Sequence, residues 1–203
     1  MVAMTVVEIA TAHGPARAHV TKVRGAHGAL VLGHGAGGGI GSRDLGAASE
    51  AALGTGFSVA LVEQPYRVAG RRSPAPAGQL DAAWIAVIEH LRAKALRGLP
   101  LVCGGRSSGA RVACRTAAET GATAVLCLAF PLHPPGRPNA PSRQDELDAV
   151  GVPVLVVQGE SDPFGMPPPG PSRTVVTVKG NHSLRSDLEA VRSAIGQWLS
   201  QLR

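Results

Sequence analysis

Three stretches of the sequence carry residues that would do chemistry together. The first is Gly105-Arg106-Ser107-Ser108-Gly109, a G-x-S-x-G sequence behind the apolar run 101–103. A serine hydroxyl is a weak nucleophile at neutral pH until a base takes its proton, and the base needs an acid to hold its tautomer. His182 offers the base, in Lys179-Gly180-Asn181-His182-Ser183. Asp162 offers the acid, in Gln158-Gly159-Glu160-Ser161-Asp162-Pro163, with Glu160 as its rival. Each stands behind its own apolar run, and together they are a set for acyl transfer.

The oxyanion that forms in such a transfer needs backbone donors. Ser108 N–H, next to the nucleophile, supplies one. Gly33-His34-Gly35-Ala36-Gly37-Gly38-Gly39 supplies the other, with Ala36 the first choice and Gly35 and Gly37 beside it. His34 is expected to fix this loop by hydrogen bonds. A glycine run also suits a phosphate nest. Against that reading, no lysine follows the serine turn in the P-loop position and the dinucleotide spacing is absent.

These residues must be positioned by something, and periodicity says what. Apolar runs at 29–32, 57–62, 101–103, 123–130, 152–157 and 174–178 read as strands, several of them apolar on both faces as in a buried parallel sheet. Leu80, Trp84, Val87, Ile88, Leu91 and Ala95 form a helical stripe; Leu184, Leu188, Val191, Ile195, Trp198, Leu199 and Leu202 form a second. Weaker helices fit 44–53 and 108–119. Ahead of them, 5–10 and 18–23 read as an antiparallel pair turning at His13-Gly14-Pro15. Strand alternating with helix predicts an α/β three-layer fold, a mostly parallel sheet flanked by helices, with residues 1–203 as a single domain. In such a sheet ligands bind at the carboxyl ends of the strands, which is where all three stretches and the glycine loop fall.

Composition narrows the function. With 203 residues, 44% hydrophobic and 17% charged, the chain can bury one core, and a disordered tail is excluded. The net charge of +6 invites a nucleic-acid partner, but only Lys22, Lys94 and Lys179 are lysines and the arginines are scattered. Arg71-Arg72 is the one adjacent basic pair, and aromatic residues are 3%, so no binding face for nucleic acid is expected. No run approaches the roughly 20 apolar residues of a membrane helix. Residues 1–12 lack a basic start followed by an apolar core, so no signal peptide is read. Cys103, Cys114 and Cys127, an odd number without C-x-x-C, predict reduced thiols in the cytoplasm and no metal site. No cofactor is implied.

The set Gly33-His34-Gly35-Ala36-Gly37-Gly38, Gly105-Arg106-Ser107-Ser108-Gly109-Ala110-Arg111, Asp162-Pro163-Phe164-Gly165 and Asn181-His182 resembles the α/β-hydrolase superfamily. More narrowly it is similar to small predicted hydrolases related to dienelactone hydrolases. Gln64-Pro65-Tyr66 and Phe130-Pro131-Leu132-His133-Pro134-Pro135-Gly136 fit the same group, and the likeness runs from about Ala29 onward. It implies the α/β-hydrolase fold and a Ser107–Asp162–His182 triad, but no particular substrate. Dienelactone hydrolases proper use a cysteine nucleophile; position 107 is serine, so that activity is not carried over.

At this length there is no room for a lid domain, which leaves loops 66–78 and 131–143 as pocket walls. Gly35, Gly37, Tyr66, Arg67, Arg106, Leu132, His133 and Phe164 are the expected pocket residues. Arg106 is expected to brace a neighbouring loop through a carboxylate rather than touch substrate. Arg67, Arg71 or Arg72 would favour anionic or polar acyl groups. The function expected is a serine hydrolase of a small carboxylic ester or thioester, working as a monomer or as a homodimer through the edge near 5–10. A non-catalytic binding scaffold and a peroxide-using enzyme on the same triad are the competing readings.

Overall fold

The computed structural model describes residues 4–134, 136–137 and 139–202. Pro135, within the quoted 130–136 stretch, Pro138 in the expected pocket wall, and residues 1–3 of the segment read for a signal peptide lie outside the described residues.

A hairpin of β1 (Met4–Ile9) and β2 (Ala16–Thr21) opens the chain, its turn at the expected place. Strands β3 (Gly28–Gly33), β4 (Phe57–Glu63), β5 (Leu101–Arg106), β6 (Ala124–Leu128), β7 (Val154–Gly159) and β8 (Arg173–Val178) follow. All join one 8-stranded sheet in the order β1-β2-β4-β3-β5-β6-β7-β8. The pairs β1–β2 and β2–β4 are antiparallel; every other pair is parallel. Side chains alternate between two cores. In β3, Ala29 and Val31 face one, while Leu30 and Leu32 face the other. A strand covered on both faces must therefore be apolar throughout, which is why these runs stood out in the sequence.

Helices α1 (Arg43–Gly54) and α6 (Leu188–Gln201) pack together on one face. On the other, α3 (Ala77–Ala93) lies against α4 (Ser108–Arg115). Trp84 fills the α3–α4 core and Trp198 the α1–α6 core. The result is the three-layer α/β arrangement the sequence predicted. Two short helices, α2 (Pro65–Val68) and α5 (Gln144–Asp148), were not expected. Between β6 and β7 the described residues hold no helix other than α5, and none of them forms a lid.

Three helical expectations need correction. The C-terminal stripe began at Leu184, but α6 starts at Leu188, because the Asp187 side chain accepts Ala190 N–H at 3.0 Å and caps it there. Leu184 instead sits at φ +50° with its side chain fully buried. The left-handed backbone costs roughly 1–2 kcal/mol, and burying a leucine returns roughly 1.5–3 kcal/mol. Ala95 falls beyond the end of α3. Helix α4 stops at Arg115 rather than 119; the Thr116 and Thr120 hydroxyls bond back to carbonyls four residues earlier, in a segment that continues as turn. Among the described residues no helix is long and apolar enough to cross a membrane.

Candidate active site

The elbow forms where β5 hands over to α4. Register pairs Gly33 with Gly105, so the ends of β3 and β5 lie side by side. A Cβ at 105 would stand 2.6 Å from Gly33 O, and one at 109 would stand 2.5 Å from the same oxygen. Only glycine allows backbone this close. Ser107 between them is forced to φ +52°, ψ −109°, a region that costs a non-glycine residue roughly 1–3 kcal/mol. Its N–H is anchored on Leu128 O at 2.9 Å. Ser107 precedes α4 as its cap residue, yet its side chain makes no capping bond, so the hydroxyl is left for other partners.

The partner is an imidazole. His182 Nε2 lies 3.0 Å from Ser107 Oγ, and His182 Nδ1 lies 2.8 Å from Asp162 Oδ2. A carboxylate oxygen only accepts, so Nδ1–H donates to Asp162 and Nε2 is the nitrogen that accepts from serine. Asp162 is buried, and its Oδ1 accepts Phe164 N–H at 2.9 Å. The Phe164 ring stacks on His182 with centroids 4.0 Å apart. Glu160, the rival acid, is exposed and makes no hydrogen bond to His182 among the described residues.

On the other side of Ser107 lies the glycine loop. A β-turn closes it, with Gly38 N–H on Gly35 O at 3.2 Å. His34 Nδ1–H donates to Gly35 O at 2.8 Å, and its Nε2 accepts Gln64 N–H at 3.1 Å. The second bond requires a neutral ring, and burial lowers the His34 pKa in the same direction, partly opposed by the Gly35 carbonyl. Tyr66 is buried and donates its hydroxyl to Ala36 O at 2.7 Å; burial raises its pKa. Gly35 packs against Ser107, since a Cβ there would sit 3.7 Å from Ser107 Cβ. Among the described residues neither Ala36 N–H nor Gly37 N–H has an acceptor. Ser108 N–H opens α4, where the first turn's donors have no intrahelical partner.

Arg106 braces. Its Nε is 2.8 Å from Asp44 Oδ2 and its Nη2 donates to His182 O at 3.1 Å, so its guanidinium is committed to α1 and to the histidine loop. Arg67 borders the glycine loop, 3.8 Å from a Cβ at Gly39, and donates to Arg71 O; Arg71 and Arg72 are exposed. Leu132 and His133 pack against Gly165, and His133 N–H bonds Phe164 O at 2.9 Å, which ties loop 131–143 to the Asp162 loop. Leu132, His133 and Phe164 thus gather on the His182 side, with Tyr66 and Arg67 across from them.

Two residues of the site went unread in the sequence. Asp44 gave no signal, being 62 positions from Arg106 in a segment read only as helix. Gln158 did carry one: a polar residue next to the end of the apolar strand β7, which must find partners when buried. It donates to Asp162 Oδ2 at 2.9 Å.

The cysteines are no rival nucleophiles. All three are buried; burial pushes the Cys103 thiol to about 12, and the Cys114 contact and burial push Cys127 up. Among the described residues no group of His, Cys, Asp or Glu could hold a metal. The broader hollows lie elsewhere, one between β7, β8 and α6, one at the amino ends of β3 to β5. A small cavity bordered by Gly33, Tyr66, Trp84 and Ser108 touches the elbow.

Residues 26–189 match the model of the alpha/beta hydrolase domain family. No curated protein gives a significant sequence match. Among solved structures, the chain is similar to an α/β serine hydrolase without lid from Xanthomonas campestris, at 19% identity and TM-score 0.77, covering 98% of this chain and 94% of that one. It is similar to Est1E from Butyrivibrio proteoclasticus with ferulic acid bound, at 17% identity and TM-score 0.78, covering 96% and 98%. A dienelactone hydrolase from Anabaena variabilis matches at 18% identity and TM-score 0.74, covering 98% and 96%. At these identities the likeness is one of fold.

Proposed function

The chain belongs to the alpha/beta hydrolase domain family, and on that premise we propose that it is a serine hydrolase of small carboxylic esters or thioesters. One observation carries the reading. A serine on a strained turn has its hydroxyl 3.0 Å from an imidazole whose other nitrogen is 2.8 Å from a buried carboxylate. Ser107 Oγ attacks the acyl carbon while His182 Nε2 takes its proton, and Asp162 holds and stabilises the imidazolium. Charge gathering on the carbonyl oxygen is met by Ser108 N–H and by Ala36 N–H, both free to donate. His182 then returns the proton to the leaving alcohol or thiol. A water, deprotonated by the same nitrogen, releases the acid from Ser107.

The test is labelling by a fluorophosphonate probe. Wild type is expected to label, Ser107→Ala not at all, and His182→Ala far more slowly; hydrolysis of short p-nitrophenyl esters and thioesters should follow the same order. A folded wild type that neither labels nor turns over these substrates would overturn the proposal.

A further inference from the structure

Gln158 is the penultimate residue of β7, with its side chain fully buried. Its Nε2 faces three acceptors: Asp162 Oδ2 at 2.9 Å, Gly165 O at 2.9 Å and Phe130 O at 3.1 Å. Turning the amide over would aim its oxygen at all three, so the nitrogen must be where it is. Its Oε1, equally buried, has no partner among the described residues. An unsatisfied buried oxygen costs roughly 1–3 kcal/mol, which an apolar side chain in this strand would avoid. An amide tolerated at that cost is expected to act through its other end, and that end grips the oxygen that receives His182 Nδ1–H.

We infer that Gln158 is a positioning residue for the acid, its two N–H groups shared among Asp162 Oδ2, Gly165 O and Phe130 O so that the carboxylate is held in line with His182. The inference rests on reading Asp162 and His182 as acid and base. Phe164 N–H fixes Oδ1 alone and leaves the carboxylate free to swing about that contact; Gln158 removes the swing. A misplacement of about 1 Å at such a relay costs roughly 10²-fold in rate.

The test reads the histidine directly. In the folded wild type, the Nδ1–H between His182 and Asp162 gives a far-downfield proton NMR signal, assigned by its loss in His182→Ala. Gln158→Leu is expected to move this signal upfield or abolish it, and to slow fluorophosphonate labelling roughly 10²-fold. Thr116→Val, which removes a buried hydroxyl away from the site, should keep both. An unchanged signal in folded Gln158→Leu, or a wild type without the signal, overturns the inference.

Should the leucine variant fail to fold, Gln158→Glu decides. Its neutral carboxyl donates to Asp162, whereas its ionised form repels it, so the NMR signal should be lost as pH rises in this variant only. A signal that tracks wild type at every pH overturns the inference. Failure of wild type to label would sink the hydrolase proposal while leaving the NMR outcome to judge Gln158 on its own.

Discussion

Two aspartates flank the elbow, and each is about as deeply buried as the other, with side chains 1% exposed. Asp162 meets an imidazole and two N–H donors. Asp44 meets the guanidinium of Arg106 and the N–H of Leu45. Burial is the same, so the difference lies in the partner. An imidazole gives and takes protons near neutrality, and a carboxylate beside it can steer that exchange. A guanidinium never releases its proton, so a carboxylate beside it can only hold position. On the hydrolase reading, the Asp162 side reacts and the Asp44 side braces, with Arg106 reaching across to His182 O as well.

Substitution should separate the two sides. The largest effect belongs to Asp162→Asn, which keeps the volume but favours the wrong tautomer of His182. Ester hydrolysis should fall by roughly 10⁴-fold with the fold intact by circular dichroism. Asp44→Ala should do the reverse. Leaving Arg106 without its counter-charge should lower stability by about 3 kcal/mol, a drop in Tm of roughly 6–12 °C for a chain of this size. The rate per folded molecule should stay within roughly tenfold of wild type. A folded Asp44→Ala that lost activity as Asp162→Asn does would erase the distinction.

The smallest effect sharpens the braced side and depends on pH. Burial lowers the His34 pKa from its usual 6.5, so the unfolded chain binds that proton more readily than the folded one. The stability from neutral His34 is therefore full above 6.5 and is lost as pH falls below 6.5 toward the lowered folded value. Protonation also removes the acceptor for Gln64 N–H. Tm compared between about pH 7.5 and about pH 5.5 should fall more in wild type than in His34→Gln. An equal fall in both would mean that His34 does not carry this pH dependence.

Most strands were legible because burial on both faces demands unbroken apolar runs such as 29–32, whereas 174–178 stood out by its β-branched residues, Thr174 and Thr177 being exposed on the edge strand β8. Ser107, Asp162 and His182 were legible because each follows such a run, and topology brings strand ends together without any knowledge of side chains. Leu184 misled, since its apolar character reflects burial and the pattern cannot tell a helical residue from one on a buried turn. Asp187, a good cap residue, was the signal that would have started α6 correctly. The Asp44–Arg106 pair is the opposite case. Nothing local relates the two residues, and only the pairing of β3 with β5 brings α1's first turn to the elbow.

Chain order has a consequence in time. Ser107 and the His182 that touches it are 75 residues apart, and β8, which carries the histidine loop, is the last strand of the sheet to be made. At roughly 5–20 residues per second, the ribosome needs about 4–15 s to travel from one to the other. Throughout that interval the nascent elbow has no imidazole beside it. The hydroxyl gains its neighbour only when the final parallel strand docks on β7, so on the hydrolase reading a truncated or stalled chain would carry a serine without its base.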